Sequence, residues 1–257
     1  MNSNDWPPLT EPLNASREAV HIVRVALETD DSQLEPLKSL LSPDESARAD
    51  RYKVSQPRRH FIVCRAVLRQ LLGSCVDCGP TDVEFEYGPH GKPALRQSTP
   101  PPLGIQFSVS HSDDQALIAI AVDRLIGVDI ERIDSSVRIL KLARRFFSPR
   151  EAAELVKLPE NDQLAGFFQG WTSKEAYLKS TGFGLSFPLD KFSVSLNPCQ
   201  PPQLLEVVNQ PSELARWRLL PLNPIPDFAA AVMFEAQSAD QVTLQPWCWE
   251  GTYSRIQ

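Results

Sequence analysis

No stretch of this 257-residue chain is apolar for long. The cleanest run, residues 116–122, is far shorter than the roughly 20 apolar residues that a bilayer-crossing helix needs. No membrane span is expected. Residues 1–14 are polar and carry Pro7, Pro8 and Pro12. No basic stretch leads there into an apolar one, as a secretory leader would require, and a cytoplasmic location is the expectation. Cysteine is sparse, with five, at positions 64, 75, 78, 199 and 248. An odd count at irregular spacing argues against a disulfide framework and for a reducing compartment. Cys75 and Cys78 form a single C-x-x-C, but His21, His60, His90 and His111 do not supply the second half of a zinc site. Positive charge is also in deficit, since the net charge is −6. That opposes the basic footprint of a nucleic-acid binder. No short repeat and no low-complexity tract interrupts the chain.

What remains is ordinary globular material, 42% apolar and 23% charged, long enough for one large domain or two small ones. Prolines at 100–102, at 198, 201 and 202, and at 221, 224 and 226 mark loops. Residues 21–27 alternate as a strand. Ser42-Pro43-Asp44-Glu45 reads as a helix start, with Ser42 as N-cap. A long amphipathic helix is expected over residues 57–72, ended by Gly73. Strands follow at 83–87, 105–110 and 115–122, with turns at 88–93 and 110–114. The second half opens with a strand at 126–131 and continues with helices near 139–146, 149–156 and 162–181. Strands then come at 191–196, 204–208, 217–221 and 228–235, and the last twenty residues show no clear element. Each half is thus helices plus a small, mostly antiparallel sheet, an α+β chain. The predicted subdomains are 1–123 and 124–257, with a ligand cleft between them.

Four constellations can do chemistry. In Gly127-Val128-Asp129-Ile130-Glu131 the two acids fall on one face of a strand. That pattern suits a hard cation such as Mg²⁺, or it is a solvated strand edge. In Trp171-Thr172-Ser173-Lys174-Glu175-Ala176-Tyr177-Leu178-Lys179, Glu175 and Lys179 stand at i and i+4. They form either a surface salt bridge or a third carboxylate with an ammonium beside a phosphate. Ser108-Val109-Ser110-His111-Ser112 reads as a hydroxyl-rich turn suited to phosphate. A serine hydrolase would want a Gly-x-Ser-x-Gly elbow, which is missing. Arg48, Arg51, Arg58, Arg59, Arg65 and Arg69, with Lys92, form a basic cluster that is either solvated and paired or an anion pocket. Gly182 and Gly184 read as a helix stop, since no Lys-Ser/Thr follows as in a phosphate loop.

The order Gly91-Lys92-Pro93, Ser110-His111-Ser112, Gly127-Val128-Asp129-Ile130-Glu131, Trp171 to Lys179 resembles the Sfp-type phosphopantetheinyl transferases. The likeness extends to Phe146-Phe147-Ser148 and to residues 182–189, and covers about residues 22–235. It implies a Mg²⁺-dependent enzyme that moves 4′-phosphopantetheine from coenzyme A to a serine of an apo acyl carrier protein, or of a peptidyl or polyketide carrier domain. It implies Asp129, Glu131 and Glu175 as metal ligands, and Glu175, Lys179 and His111 as catalytic residues. Glu175 would take the serine proton directly or through a metal-bound water. It implies Arg48, Arg65, Lys92, Ser110, His111 and Lys179 as contacts to coenzyme A. Where some bacterial members carry a lysine one turn before the position of Arg48, this chain has Glu45. The resemblance further implies two halves related by a pseudo-twofold axis, active as a monomer. Another Mg²⁺-dependent phosphoryl-transfer enzyme, such as a nucleotide kinase, and a non-catalytic binder of coenzyme A or carrier are the rival readings.

Overall fold

The computed structural model describes residues 6–96, 104–184, 187–236 and 241–251. The proline turn at 100–102 and the residues Leu185 and Ser186 lie outside that set. Among the described residues the chain is α+β, as expected, and no helix is long and apolar enough to cross a membrane.

The first half is built on β1 (Ala19–Ala26), β4 (Ile105–Ser112) and β5 (Gln115–Val122), covered by the helices α1 (Asp31–Lys38), α2 (Pro43–Asp50) and α3 (Ser55–Cys75). A small hairpin of β2 (Phe85–Tyr87) and β3 (Pro93–Leu95) lies beside them. β5 is buried along its whole length. Ala116, Ile118, Ile120 and Val122 face the core under α3, while Leu117, Ala119 and Ala121 face the second half. A strand covered on both faces needs no polar alternation, which is why residues 116–122 read as a continuous apolar run. α3 runs two residues beyond the glycine expected to end it. A Cβ on Gly73 would lie 2.7 Å from the Cys78 carbonyl, so this glycine serves a close return of the chain rather than a helix stop.

The second half is built on β6 (Ile126–Arg132), β9 (Trp217–Leu222) and β10 (Phe228–Glu235), in the order β6-β10-β9. Helices α4 (Ile139–Phe146), α5 (Pro149–Lys157) and α6 (Glu160–Thr181) precede the pair β7 (Phe192–Val194) and β8 (Leu204–Val207), and α7 (Glu213–Arg216) precedes β9. α6 lies on this sheet as α3 lies on the first. Ala176, Tyr177 and Leu178 pack in one core with Ala231 and Met233. Gly182, at φ +74°, caps α6 in the left-handed conformation, which confirms it as a helix stop.

A third core joins the halves. Val20, Ile22, Leu117 and Ala119 of the first sheet meet Ile126, Val128, Ile130 and Val232 of the second. Residues 123–125 connect β5 to β6, one strand in each sheet. β11 (Thr243–Trp249) then returns to pair in parallel with β1, making the first sheet β11-β1-β5-β4. The first sheet is therefore completed by residues that follow the second in sequence.

Candidate active site

Where the edge strands β4 and β6 meet, they are joined by side chains. The Ser108 hydroxyl accepts the Val128 N–H at 3.1 Å. Ser110 donates to Asp129 Oδ1 at 2.7 Å, and Ser112 donates to Glu131 Oε2 at 2.8 Å while accepting the Arg132 N–H. These serines stand at period two because they lie in β4 and share one face, with Phe107 and Val109 on the other face in the first core. The tight turn expected over residues 108–112 falls instead at the two residues after Ser112, where Asp113 has φ +52°. The serines therefore do not present a cradle of turn amides. They stitch the halves together and orient the acids.

The alternation on β6 is as the sequence predicts. Val128 and Ile130 enter the core between the halves, and Asp129 and Glu131 turn to the seam. α6 approaches closely because residue 127 is glycine: a Cβ there would lie 2.0 Å from the Ala176 carbonyl oxygen and 2.4 Å from the Ser180 nitrogen. That approach brings Lys179 Nζ to 2.6 Å from Asp129 Oδ1 and 2.7 Å from the Ser110 hydroxyl. Trp171, Glu175 and Lys179, four residues apart, are half-buried on the seam side of α6, and Trp171 donates a hydrogen bond to Glu131.

The electrostatics show what these residues lack. Burial raises the Asp129 carboxyl above its usual range, against the opposing pull of Lys179. Burial also raises Glu131, and Asp129 pushes it further. Glu175 is raised by burial and then by both other acids, with only Lys179 opposing. Three mutually repelling carboxylates share one ammonium, and Asp129 Oδ2 is buried with no hydrogen-bond partner. Hard oxygen donors in cation deficit around an orphaned oxygen fit Mg²⁺. Among the described residues no three acids or histidines already converge at coordination spacing. Lys179 and Ser110 hold one oxygen of Asp129, and Ser112 holds one of Glu131. Mg²⁺ usually keeps water and phosphate oxygens as ligands, so an incomplete protein set suffices.

His111 is exposed beside this group. Protein packed around it lowers its pKa below the ordinary value, and Lys179 and His60 push the same way, so the ring is neutral near pH 7. A cavity of about 240 Å³ opens next to Lys179, lined among others by His90, Gly91, Phe107 and Val109. A larger cavity, about 710 Å³, lies away from these residues and is lined in part by Glu28, Asp30 and Glu250, which suits a polyanion poorly.

The basic cluster is largely neutralised from within. Arg58 pairs with Asp50, and Arg59 pairs with Asp31. Arg69, fully buried, donates to Glu45 Oε2 at 2.6 Å and to the carbonyls of Pro80 and Val83. Arg65 lies 3.4 Å from Glu45 Oε1 and faces the rings of Phe61 and Phe85. Glu45 is 2% exposed, and its carboxylate also accepts the Ser42 N–H in a capping box. Its presence in place of a lysine thus has a structural reason: it neutralises two arginines of α3. Arg48 remains exposed, its guanidinium over Phe61. Lys92 also lines the cavity beside Lys179, but its ammonium donates to the carbonyls of Ile126, Lys179 and Ser180.

A profile of the 4′-phosphopantetheinyl transferase superfamily matches residues 125–233, and one of the 4′-phosphopantetheinyl transferase N-terminal region matches residues 28–123. The 4′-phosphopantetheinyl transferase HetI of Nostoc sp. is 37% identical over 232 residues, which is 90% of this chain and 94% of that protein. The 4′-phosphopantetheinyl transferase Sfp of Bacillus subtilis is 29% identical over 163 residues, 63% of this chain and 70% of the relative. The holo-[acyl-carrier-protein] synthase of Thermotoga maritima is 16% identical over 44% of this chain and 63% of its own, with a TM-score of 0.33, too slight a likeness to carry weight. The match to HetI covers most of both chains, the two profiles together span residues 28–123 and 125–233, and the chain is an enzyme of the 4′-phosphopantetheinyl transferase family, of the Sfp type.

Proposed function

We propose that the seam between β4, β6 and α6 is where the 4′-phosphopantetheine of coenzyme A passes to a serine of an apo carrier protein, with release of adenosine 3′,5′-bisphosphate. The observation that carries this reading is the set of three carboxylates in cation deficit, with Lys179 beside them and Asp129 Oδ2 unpartnered. Asp129, Glu131 and Glu175 would hold Mg²⁺. When bound, the ion would neutralise charge on the pyrophosphate oxygens. The serine oxygen attacks the β-phosphorus, the bond from that phosphorus to the bridging oxygen breaks, and the bridging oxygen leaves with the adenosine bisphosphate. Glu175 receives the serine proton, directly or through a metal-bound water.

Lys179 faces the leaving phosphate once an anion competes with Asp129 for its ammonium. Ser110, fixed between Lys179 and Asp129, acts on phosphate through Lys179. Neutral His111 donates an N–H to the leaving group, whose negative charge raises the affinity of the ring for a proton. Exposed Arg48 on its Phe61 platform is the cation for the 3′-phosphate, and Arg65, held by Glu45, supports it. Domain roles follow: the first half binds coenzyme A, and the second carries the acids.

The carrier needs a local docking surface, because both partners are expected to be acidic. α4 supplies one. Ile139, Leu140, Leu142 and Phe146 pack inward, and Arg138, Lys141, Arg144 and Arg145 are exposed. Phe147 and Phe167 are buried and belong to the core rather than to a contact surface. Both sides of the seam come from one chain, which supports a monomer, acting in the cytoplasm. The test is the intact mass of an apo carrier protein incubated with the enzyme, coenzyme A and Mg²⁺, each omitted in turn. Gain of one phosphopantetheine only in the complete mixture supports transfer. Binding of coenzyme A without mass gain favours a non-catalytic binder, and ATP consumption without use of coenzyme A favours a kinase.

A further inference from the structure

The turn Gly91-Lys92-Pro93 belongs to the first half, yet its lysine side chain ends in the second. Lys92 Nζ donates to the Ile126 carbonyl at 3.1 Å, to that of Lys179 at 2.5 Å and to that of Ser180 at 3.4 Å. An ammonium has three N–H groups, and here three acceptors meet them. Lys179 and Ser180 lie in the last turn of α6, where the carbonyls have no partner within the helix and the negative end of the helix dipole sits. Ile126 immediately precedes Gly127, where the backbones of β6 and α6 leave no room for a Cβ. Lys92 thus closes the junction between the two elements that bear the acids.

The rest of the hairpin is shaped to deliver it. Gly88 donates its N–H to the Lys92 carbonyl at 2.9 Å, Gly91 donates to the Gly88 carbonyl, and Gly91 takes φ +80°. The Lys92 stem runs past the helix stop, where a Cβ on Gly182 would sit 3.7 Å from Lys92 Cδ. All three hydrogen-bond acceptors of the ammonium are neutral. Burial without a counter-carboxylate lowers its pKa to about 8, whereas a lysine waiting at the surface for phosphate would stay solvated.

We propose that Lys92 is a positioning residue for the transfer reaction: through these carbonyls it locks the end of α6 to the start of β6, and so holds Glu175 and Lys179 opposite Asp129 and Glu131. The proposal rests on the reading of those four residues as the transfer site. It separates Lys92 from a direct contact with coenzyme A, because the two roles divide binding and turnover differently. A positioning residue changes kcat, since a displacement near 1 Å of reacting groups costs about 100-fold. A ligand contact changes affinity.

The experiment compares wild-type protein, Lys92→Met and Lys92→Arg by steady-state loading of an apo carrier, by calorimetric titration of coenzyme A, and by thermal melting. Lys92→Met is expected to bind coenzyme A within about threefold of wild type and to lose about 10- to 100-fold in kcat. Lys92→Arg, which keeps a cation and N–H donors for some of these carbonyls, is expected to regain part of that loss. Weakened coenzyme A binding with unchanged kcat in Lys92→Met would overturn the proposal in favour of a ligand contact. A lowered kcat that tracks the loss of melting temperature and is not rescued by arginine would reduce Lys92 to a general structural role, and unchanged behaviour would remove any role. Should Lys92→Met fail to fold, Lys92→Gln is measured in its place and held to the same outcomes. Wild-type protein that binds coenzyme A but loads no carrier would overturn the transfer reading itself, and this proposal with it.

Discussion

Adding one methyl group at residue 127 tests how the site is assembled. In the Gly127→Ala protein the new Cβ starts 2.0 Å from the Ala176 carbonyl oxygen, 2.4 Å from the Ser180 nitrogen and 2.9 Å from the Lys179 carbonyl carbon. Ordinary Cβ contacts begin at 3.4 Å, so α6 must retreat from β6 by about 1.4 Å. The obstructing atoms are helix backbone, and no side-chain rotation relieves them. Overpacking of this kind costs about 1–3 kcal/mol, which lowers the melting temperature by roughly 2–12 °C in a chain of this size. The effect on catalysis is larger. The bonds of Lys179 to Asp129 and Ser110, at 2.6 and 2.7 Å, do not survive such a retreat. A misplacement of about 1 Å costs on the order of 100-fold in rate. The assay is single-turnover loading of an apo carrier at saturating coenzyme A, with a thermal melt on the same sample. A Gly127→Ala protein that loads at the wild-type rate and melts at the wild-type temperature would refute backbone contact between β6 and α6.

Three other perturbations read separate parts of the structure. Lys174 is 1% exposed, donates to both Glu151 oxygens and to the Phe192 carbonyl, and ties α6 to α5 and β7; Lys174→Met should cost about 3–5 kcal/mol in urea unfolding by stranding Glu151, and adding Glu151→Met should recover part of it. His21 is buried, accepts the Trp247 indole N–H at Nδ1 and donates from Nε2 to the Asn14 carbonyl, so burial lowers its pKa below 6.5. The unfolded chain then binds the extra proton first, so stability falls as pH drops below about 6.5 and is flat above it; His21→Gln should flatten that acid limb in urea titrations between about pH 5 and 8. Lys141→Glu with Arg144→Glu on α4 should raise the KM for carrier about tenfold, more at low salt, and leave the KM for coenzyme A unchanged.

Much of this was legible in the residues. The alternation of β6 and the i and i+4 pair of α6 each follow from one period, the apolar run of β5 follows from burial on both faces, and each stands where expected. Elements whose local pattern is weak were not legible. α1 carries Pro36 inside it, and β11 is a half-buried edge strand that includes Pro246. The serines at 108, 110 and 112 were visible, but their period-two spacing was the better guide than their hydroxyls: they form the seam and not a phosphate turn. Glu45 and Lys92 show the limit most clearly. Their partners lie 20 to 88 residues away in sequence, and only the fold reveals that one neutralises arginines and the other caps a helix.

The most direct test of the seam as a transfer site is the single-turnover rate of carrier loading in Asp129→Asn, Glu131→Gln and Glu175→Gln, at saturating coenzyme A and over a range of Mg²⁺ concentrations. If the three carboxylates act together on one cation and Glu175 takes the serine proton, each variant binds coenzyme A but loads carrier about 100-fold more slowly or worse. Loading at the wild-type rate and with the wild-type Mg²⁺ requirement, in Glu175→Gln above all, would contradict that assignment.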